Sequence, residues 1–274
     1  MNASSLLPGA SLPDLFAPRT VEVLALTMMR LTGLVLIAPV WSARTVPMRV
    51  RTAALLAFAV CLLPTALIDA PGSARLTPTT FLSEAVIGLA IGIAAACTVA
   101  AAEMAGELLA MEIGLSGAAL FDPLSQQPTQ PLGQFLQLTA VSLLLVSNGH
   151  VVMLEALAGS MRAIPVGVVP NLTAGLRPIV SLGSSVFEVG LRVAAPVIAA
   201  VMLANIALGM LSRAAPALNV MSVAFPLQIT VGLLSLSLAF GAIALVFTGW
   251  DASYARVLDT VFRPMLQGAA GGVR

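Results

Sequence analysis

The chain has 274 residues, of which 59% are hydrophobic and 9% are charged, and its formal net charge is +1 at pH 7. Soluble globular proteins carry about 25% charged residues, so this chain has too few charges to cover a water-exposed surface. Composition therefore excludes a soluble enzyme, a nucleic-acid-binding protein and a disordered protein, and it predicts an integral membrane protein. Two cysteines in apolar runs and one histidine indicate neither disulfides nor a metal site, and we expect no cofactor.

The predicted fold class is an all-α membrane protein with about six hydrophobic helices. A spanning helix needs about 20 apolar residues, and no alternating strand pattern recurs. The helices are expected at 20–43, 52–68, 80–112, 132–158, 178–212 and 226–250. Since no basic segment precedes the first of them, we expect it to serve as an uncleaved insertion signal.

The distribution of charges does not fit a topology in which every hydrophobic helix crosses the membrane in turn. Arg44, Arg49 and Arg51 place the first connection in the cytoplasm, and counting crossings forward then puts the arginine-bearing tail after Trp250 outside. The segment 76–161 contains no arginine but includes the acids Glu84, Glu103, Glu107, Glu112, Asp122 and Glu155. Either some hydrophobic segments do not span the membrane, or partner subunits cover them.

The third predicted helix carries small residues at four-residue spacing: Gly88, Gly92, Ala96 and Ala100. They share one face and permit close approach of another helix. The partner helix belongs either to another subunit or to the same chain, and the sequence leaves both open.

Acidic residues follow where the apolar run of this helix ends. Glu103 and Glu107 lie one turn apart and repel each other, and Glu112 comes soon after them. An acid within a membrane is by default a candidate proton or cation relay. The simpler alternative, which we favour, places these acids in water or pairs them with arginines of a partner.

The loop that follows contains helix-breaking Gly114, Gly117 and Pro123 beside strongly apolar segments. Irregular backbone at membrane depth is buried in protein or lines a cavity. Leu115, Leu120 and Phe121 could form an apolar constriction that closes a pore by dewetting. The alternative is an external linker.

Three further polar residues have both a structural and a functional interpretation. His150 could relay protons, but a capping or interface role is commoner for a histidine without a placed acid partner. Asn205 and Arg213 lie near the junction of the last two predicted helices. Arg213 can extend its charged group to the membrane–water interface or donate hydrogen bonds to the last carbonyls of its helix.

No catalytic constellation occurs: the chain lacks a phosphate-binding GxxxxGK[ST] loop, a GxSxG elbow and a metal-ligand cluster. We therefore expect a protein that is not an enzyme. Any energy for transport has to come from elsewhere.

Four motifs in order resemble the FliR family of the type III export gate. The first is the run from Gly106 to Pro123, GELLAMEIGLSGAALFDP, and the second is Asn148-Gly-His followed by Ser160 and Ile164-Pro-Val-Gly. The third comprises Asn205, Gly209, Arg213, Pro216, Asn219-Val and Pro226-Leu-Gln-Ile, and the fourth comprises Arg30, Pro39, Pro47 and 49–51. The resemblance covers roughly residues 20–262.

This resemblance implies a helical, hetero-oligomeric channel in the inner membrane, at the flagellar basal body. The implied partners are FliP-like, FliQ-like and FlhB-like membrane subunits, an FlhA-like ring, unfolded flagellar proteins as cargo, and lipid, with no nucleic acid. It also implies an N-terminal segment 1–19, a FliP-like part 20–165, a FliQ-like hairpin 166–262 and a flexible tail 263–274. Within the loop 114–131, the implied lumen plug comprises Gly114, Leu115, Ser116, Gly117, Leu120, Phe121, Asp122 and Pro123.

The chain departs from the family pattern at a few positions. Glu107 and Glu112 stand where the family often has glutamine, and Gly117 replaces a bulkier residue. The virulence injectisome homologue SctT shares the pattern, but 120–123 and 148–150 look closer to FliR. The alternative from another class is a small-solute transporter coupled through Glu103, Glu107 and His150, although the chain shows no internal symmetry.

Overall fold

A computed structural model describes residues 17–42, 46–115, 131–214 and 220–270. Within these ranges the regular secondary structure consists of helices joined by turns and no strand occurs, which confirms the predicted all-α class. The helices are α1 (Pro18–Ile37), α2 (Met48–Asp69), α3 (Pro78–Glu112), α4 (Pro131–Val146), α5 (Gly149–Ala163), α6 (Leu172–Ala214), α7 (Val220–Thr248) and α8 (Trp250–Ala270).

Local sequence signals explain where the two longest helices begin. Thr77 Oγ1 accepts a hydrogen bond from Thr80 N at 3.2 Å, and Pro78 occupies the first helical position of α3. Asn171 Oδ1 accepts a bond from Ala174 N at 3.3 Å and caps α6, which begins upstream of the predicted residue 178.

The single helix predicted over 132–158 is wrong, because the chain breaks there into α4 and α5 with a bend of 68°. Asn148 has a φ of 58° at the break, in the left-handed region that asparagine tolerates better than most residues. Gly149 follows and begins α5. Left-handed backbone cannot continue a right-handed helix, so the direction of the chain changes at this point.

The C-terminal helices also differ from expectation. Pro226 lies inside α7, which already begins at Val220, whereas we expected it near the first turn. The additional helix α8 extends to Ala270, so residues 263–270 of the expected tail are helical. One face of α8 is buried, through Trp250, Tyr254, Leu258, Val261 and Met265. A search for continuous apolar runs misses such an amphipathic helix.

Among the residues that the structure describes, five helices are long and apolar enough to cross a membrane: α1, α2, α3, α6 and α7. The number of candidate spans rises to 6 if the bent pair α4–α5 counts as one span. This agrees with the predicted number of hydrophobic helices and makes the chain a membrane protein.

The chain divides into two compact units. Unit 1 takes its residues from 1–96, 148–182 and 251–274, and unit 2 takes its residues from 97–147 and 183–250. Both α3 and α6 contribute residues to both units. These units are not the FliP-like and FliQ-like parts that were predicted to meet at residue 165. That division stays a prediction.

Candidate functional site

A fully buried ion pair lies in unit 1. Arg30 Nε on α1 donates to Glu84 Oε2 on α3 at 2.5 Å, and both side chains are 0% exposed. A charge removed from water costs several kcal/mol unless its partner and its hydrogen bonds compensate. The remaining polar atoms of the pair therefore need partners as well.

Those partners come from the end of α5 and the turn that follows it. Arg30 donates from Nη1 to Ser160 Oγ at 3.2 Å and from Nη2 to the carbonyl of Ile164 at 3.0 Å. The second carboxylate oxygen of Glu84 accepts a bond from Gly167 N at 2.9 Å. We call Arg30, Glu84, Ser160, Ile164 and Gly167 the Arg30 cluster. It joins three segments that are distant in sequence.

Glycine is required at the last position of the Arg30 cluster. Gly167 has a φ of +88°, and a Cβ there would lie 2.7 Å from Ala74 Cβ. Left-handed backbone and this close contact both exclude a side chain. The amide that Glu84 binds is therefore held in a turn that few other residues could adopt.

The small-residue face of α3 packs against α1 of the same chain. A Cβ on Gly88 would lie 2.0 Å from the carbonyl oxygen of Arg30, and one on Gly92 would lie 3.1 Å from that of Leu34. Gly88 and Gly92 are buried, whereas Ala96 and Ala100 are half-buried. These contacts favour the intrachain alternative for the two glycines, and a role of the face in subunit packing stays a prediction.

In unit 2 the acids of α3 face α4. Glu103 Oε2 accepts a bond from Gln137 Nε2 at 2.8 Å, and both side chains are part-buried. A Cβ on Gly133 would lie 3.2 Å from Glu107 Cγ, and one on Gly106 would lie 2.6 Å from the carbonyl of Leu132. Glu103 thus has a neutral amide partner, which the sequence analysis did not anticipate.

The first residues of the predicted plug loop lie at the end of α3, where Gly114 has a φ of +82°. Gln228 Nε2 on α7 donates to the carbonyl of Glu112 at 2.8 Å, and a Cβ on Gly114 would lie 3.6 Å from the Phe225 ring. Gly114 and Leu115 are half-buried. The remaining plug residues lie outside the described ranges: Ser116, Gly117, Leu120, Phe121, Asp122 and Pro123.

The other predicted polar residues occupy separate positions. His150 lies in the first turn of α5, and its buried Nδ1 has no hydrogen-bond partner among the described residues. Asn205 and Arg213 are exposed on α6, with Arg213 in the last turn. Glu103 and Glu107 belong to unit 2 and His150 to unit 1, so neither unit contains all three groups of the transporter alternative.

Unit 1 also contains a groove of about 350 Å³ between α5 and α8, beside Ser160. Its charged lining residues are Glu155 and the exposed pair Asp259–Arg263, whose closest N–O distance is 2.7 Å. The described residues contain no group of three or more side chains that could hold a metal ion.

Comparison with known proteins identifies the family. Residues 21–250 match the family described as "Bacterial export proteins, family 1". The chain belongs to this family. Its relatives named flagellar biosynthetic protein FliR include that of Escherichia coli, which is 32% identical over 209 residues, 75% of this chain and 79% of that protein.

Two further FliR relatives differ in coverage. That of Caulobacter vibrioides is 28% identical over 243 residues, 87% of this chain and 95% of that protein. That of Pectobacterium carotovorum is 34% identical, but the match spans only 57% of this chain and 60% of that protein. The predicted family resemblance is confirmed, and the chain is an export component and not an enzyme.

The sequence motifs include most residues of the Arg30 cluster, but they did not predict that these residues contact one another. Arg30, Ser160, Ile164 and Gly167 all lie in the motifs that resemble the FliR family, but Glu84 was only counted among the acids. The usable signal was an acid and an arginine, each within an apolar helix, because such charges require a buried partner.

Proposed function

We propose that this chain is an integral-membrane subunit of the flagellar type III export gate in the bacterial inner membrane. It assembles with FliP-like and FliQ-like chains into a channel for unfolded flagellar proteins, beside FlhB-like and FlhA-like components. The observation that carries this proposal is the family match over residues 21–250. The flagellar branch is preferred over the virulence branch because the compared relatives are named as flagellar proteins.

Uncovered apolar surface supports an assembly with other membrane components. Only 17% of the most apolar window of α2 is buried within the chain, against 61% for α3. Large apolar side chains that are more than half exposed on α6 and α7 include Met202, Leu203, Ile206, Met210, Leu238 and Leu245. Soluble monomers rarely expose such continuous apolar surface, so lipid or sister subunits have to cover it.

The plug is proposed for residues 114–123. Support comes from the base of the loop, where Gln228 holds the last carbonyl of α3 and Gly114 turns the chain out of the helix. A firmly held base allows the apolar residues beyond it to block a pore while the segment itself moves aside for cargo. Leu120 and Phe121 supply the apolar tip in this proposal.

The gate is tested in the host, in a strain from which the gene has been deleted. The wild-type chain, tagged and extracted gently, should restore swimming and co-purify with FliP-like and FliQ-like chains. Recovery of a lone chain or a homodimer, with swimming unaffected by the deletion, would refute the gate assignment.

The plug is tested separately by deleting residues 116–122, with deletion of 124–130 in the same loop as the matched control. The first deletion should leave export possible but make the membrane permeable to ions, whereas the second should leave it tight. Equal, wild-type permeability of both strains contradicts the plug role without affecting the gate assignment.

A further inference from the structure

We propose that the Arg30 cluster is a latch that fixes the turn at residues 164–167 and thereby sets where α6 begins. Arg30 and Glu84 are positioning residues in this proposal, since they act through the backbone that they hold. The latch is a property of this chain alone. Only its consequence for export rests on the proposed function.

Stability alone does not account for a buried ion pair at this position. Replacing such a pair with apolar residues of similar volume is often neutral or stabilising, because burying the charges costs about as much as their attraction returns. What the pair contributes instead is the fixed geometry of its hydrogen bonds. The planar guanidinium has five N–H groups in a fixed geometry, so its hydrogen bonds restrict both the distance and the angle of their acceptors.

The groups that the pair binds show what is being positioned. The carbonyl of Ile164 and the amide of Gly167 are backbone atoms on either side of one turn, bound by Arg30 and Glu84 respectively. Ser160 Oγ is held between Arg30 and the carbonyl of Leu157, to which it donates at 2.6 Å. The cluster thus holds the path of the main chain as it leaves α5.

The segment that follows the turn lies against α8. Asn171 N donates to the carbonyl of Met265 at 3.4 Å, just before α6 begins. In the first turns of α6, a Cβ on Gly175 would collide with the Met265 side chain. The start of α6 is thus closely packed against the Met265 side chain, so the path of the preceding turn affects how α6 docks here.

The test removes the polar latch while keeping the packing. The double variant Arg30→Met with Glu84→Leu retains apolar volume but can neither donate to Ile164 nor accept from Gly167. The control makes the same two replacements, Arg263→Met with Asp259→Leu, at the exposed pair on α8, whose side chains are 74% and 61% exposed. Full-length chains are compared by hydrogen exchange and thermal unfolding in detergent, and by swimming of the complemented deletion strain.

We expect the Arg30–Glu84 double variant to stay folded while its amides at 164–168 exchange at least tenfold faster than those of the wild type and the control. Its swimming should fall at least tenfold. Wild-type exchange at 164–168 overturns the latch, whatever the swimming result. If the wild-type chain itself fails to restore swimming, the export function fails, and the exchange comparison still decides the latch.

If the double variant does not fold, Arg30→Lys decides the question. A lysine has a single nitrogen, so it can pair with Glu84 but cannot also span Ser160 and Ile164. Faster exchange at 164–168 in this folded variant supports the latch. Exchange at the wild-type rate refutes it.

Discussion

Replacing Gly88 with alanine is expected to force α1 away from α3. The added Cβ would lie 2.0 Å from the carbonyl oxygen of Arg30 and 2.9 Å from its carbonyl carbon, both of them backbone atoms that no rotamer change can move. Overpacking of this kind costs about 1–3 kcal/mol. Since displacing Arg30 also disturbs its pairing with Glu84, we place the loss of unfolding free energy at about 3 kcal/mol, the upper end of that range.

The matched control is Gly159→Ala in α5. No atom lies within 4 Å of a Cβ at Gly159, so alanine meets open space there. In a helix interior, alanine is favoured over glycine by roughly 0.5–1 kcal/mol. The same chemical change should therefore destabilise the chain at Gly88 and slightly stabilise it at Gly159.

Thermal unfolding of the two full-length variants, followed by circular dichroism in the same detergent, measures the difference. At roughly 2–4 °C per kcal/mol for a chain of this size, Tm should fall by about 6–12 °C for Gly88→Ala and rise by about 1–4 °C for Gly159→Ala. A Tm for Gly88→Ala equal to or above that of Gly159→Ala would refute the reasoning about close helix packing.

Three further predictions concern single side chains. Glu103→Gln should support normal swimming, because glutamine can still accept the bond from Gln137; loss of swimming with a normal protein level would favour a proton relay. Asn148→Gly should raise Tm by relieving left-handed strain, and Asn148→Val should lower it. Burial raises the pKa of Tyr254, which is the single tyrosine of the chain. The tyrosinate absorbance at 295 nm should therefore not rise at pH 11 until the protein is denatured. Because the folded-state pKa is the higher one, this contribution to stability is present below about pH 10 and lost as pH rises further. Tyrosinate absorbance at pH 11 in the folded chain would contradict this.

The sequence predicted the apolar helices well because a long apolar run has few other structures available in a membrane. It failed at Asn148, where the run continues through an Asn-Gly turn whose φ alone breaks the helix. It also failed at α8, which is amphipathic and so has no continuous apolar run. Its signal in the sequence is amphipathic periodicity, which indicates a helix without a continuous apolar run.

The pairing within the Arg30 cluster could not be read from spacing. Arg30 and Glu84 are 54 positions apart, and Arg30 and Ile164 are 134 positions apart, so nothing local connects them. The requirement that buried charges be paired predicts that Arg30 has a partner, but choosing among the acids requires the packing of α1 on α3. The glycines that determine this packing were identified, although their partner helix was left open.

The order of assembly during synthesis follows from the position of α8. The hydroxyl of Tyr254 donates to the carbonyl of Ile91 at 3.1 Å, across 163 positions of sequence. A ribosome adding 5–20 residues per second needs on the order of 8–30 s to cover that distance. During this time the nascent α3 lacks the helix that later covers Ile91, so lipid, the insertion machinery or a chaperone has to shield it. Unit 1 can therefore close only after α8 has been synthesised, and a chain that stalls before α8 would display its unfinished apolar face to quality-control proteases.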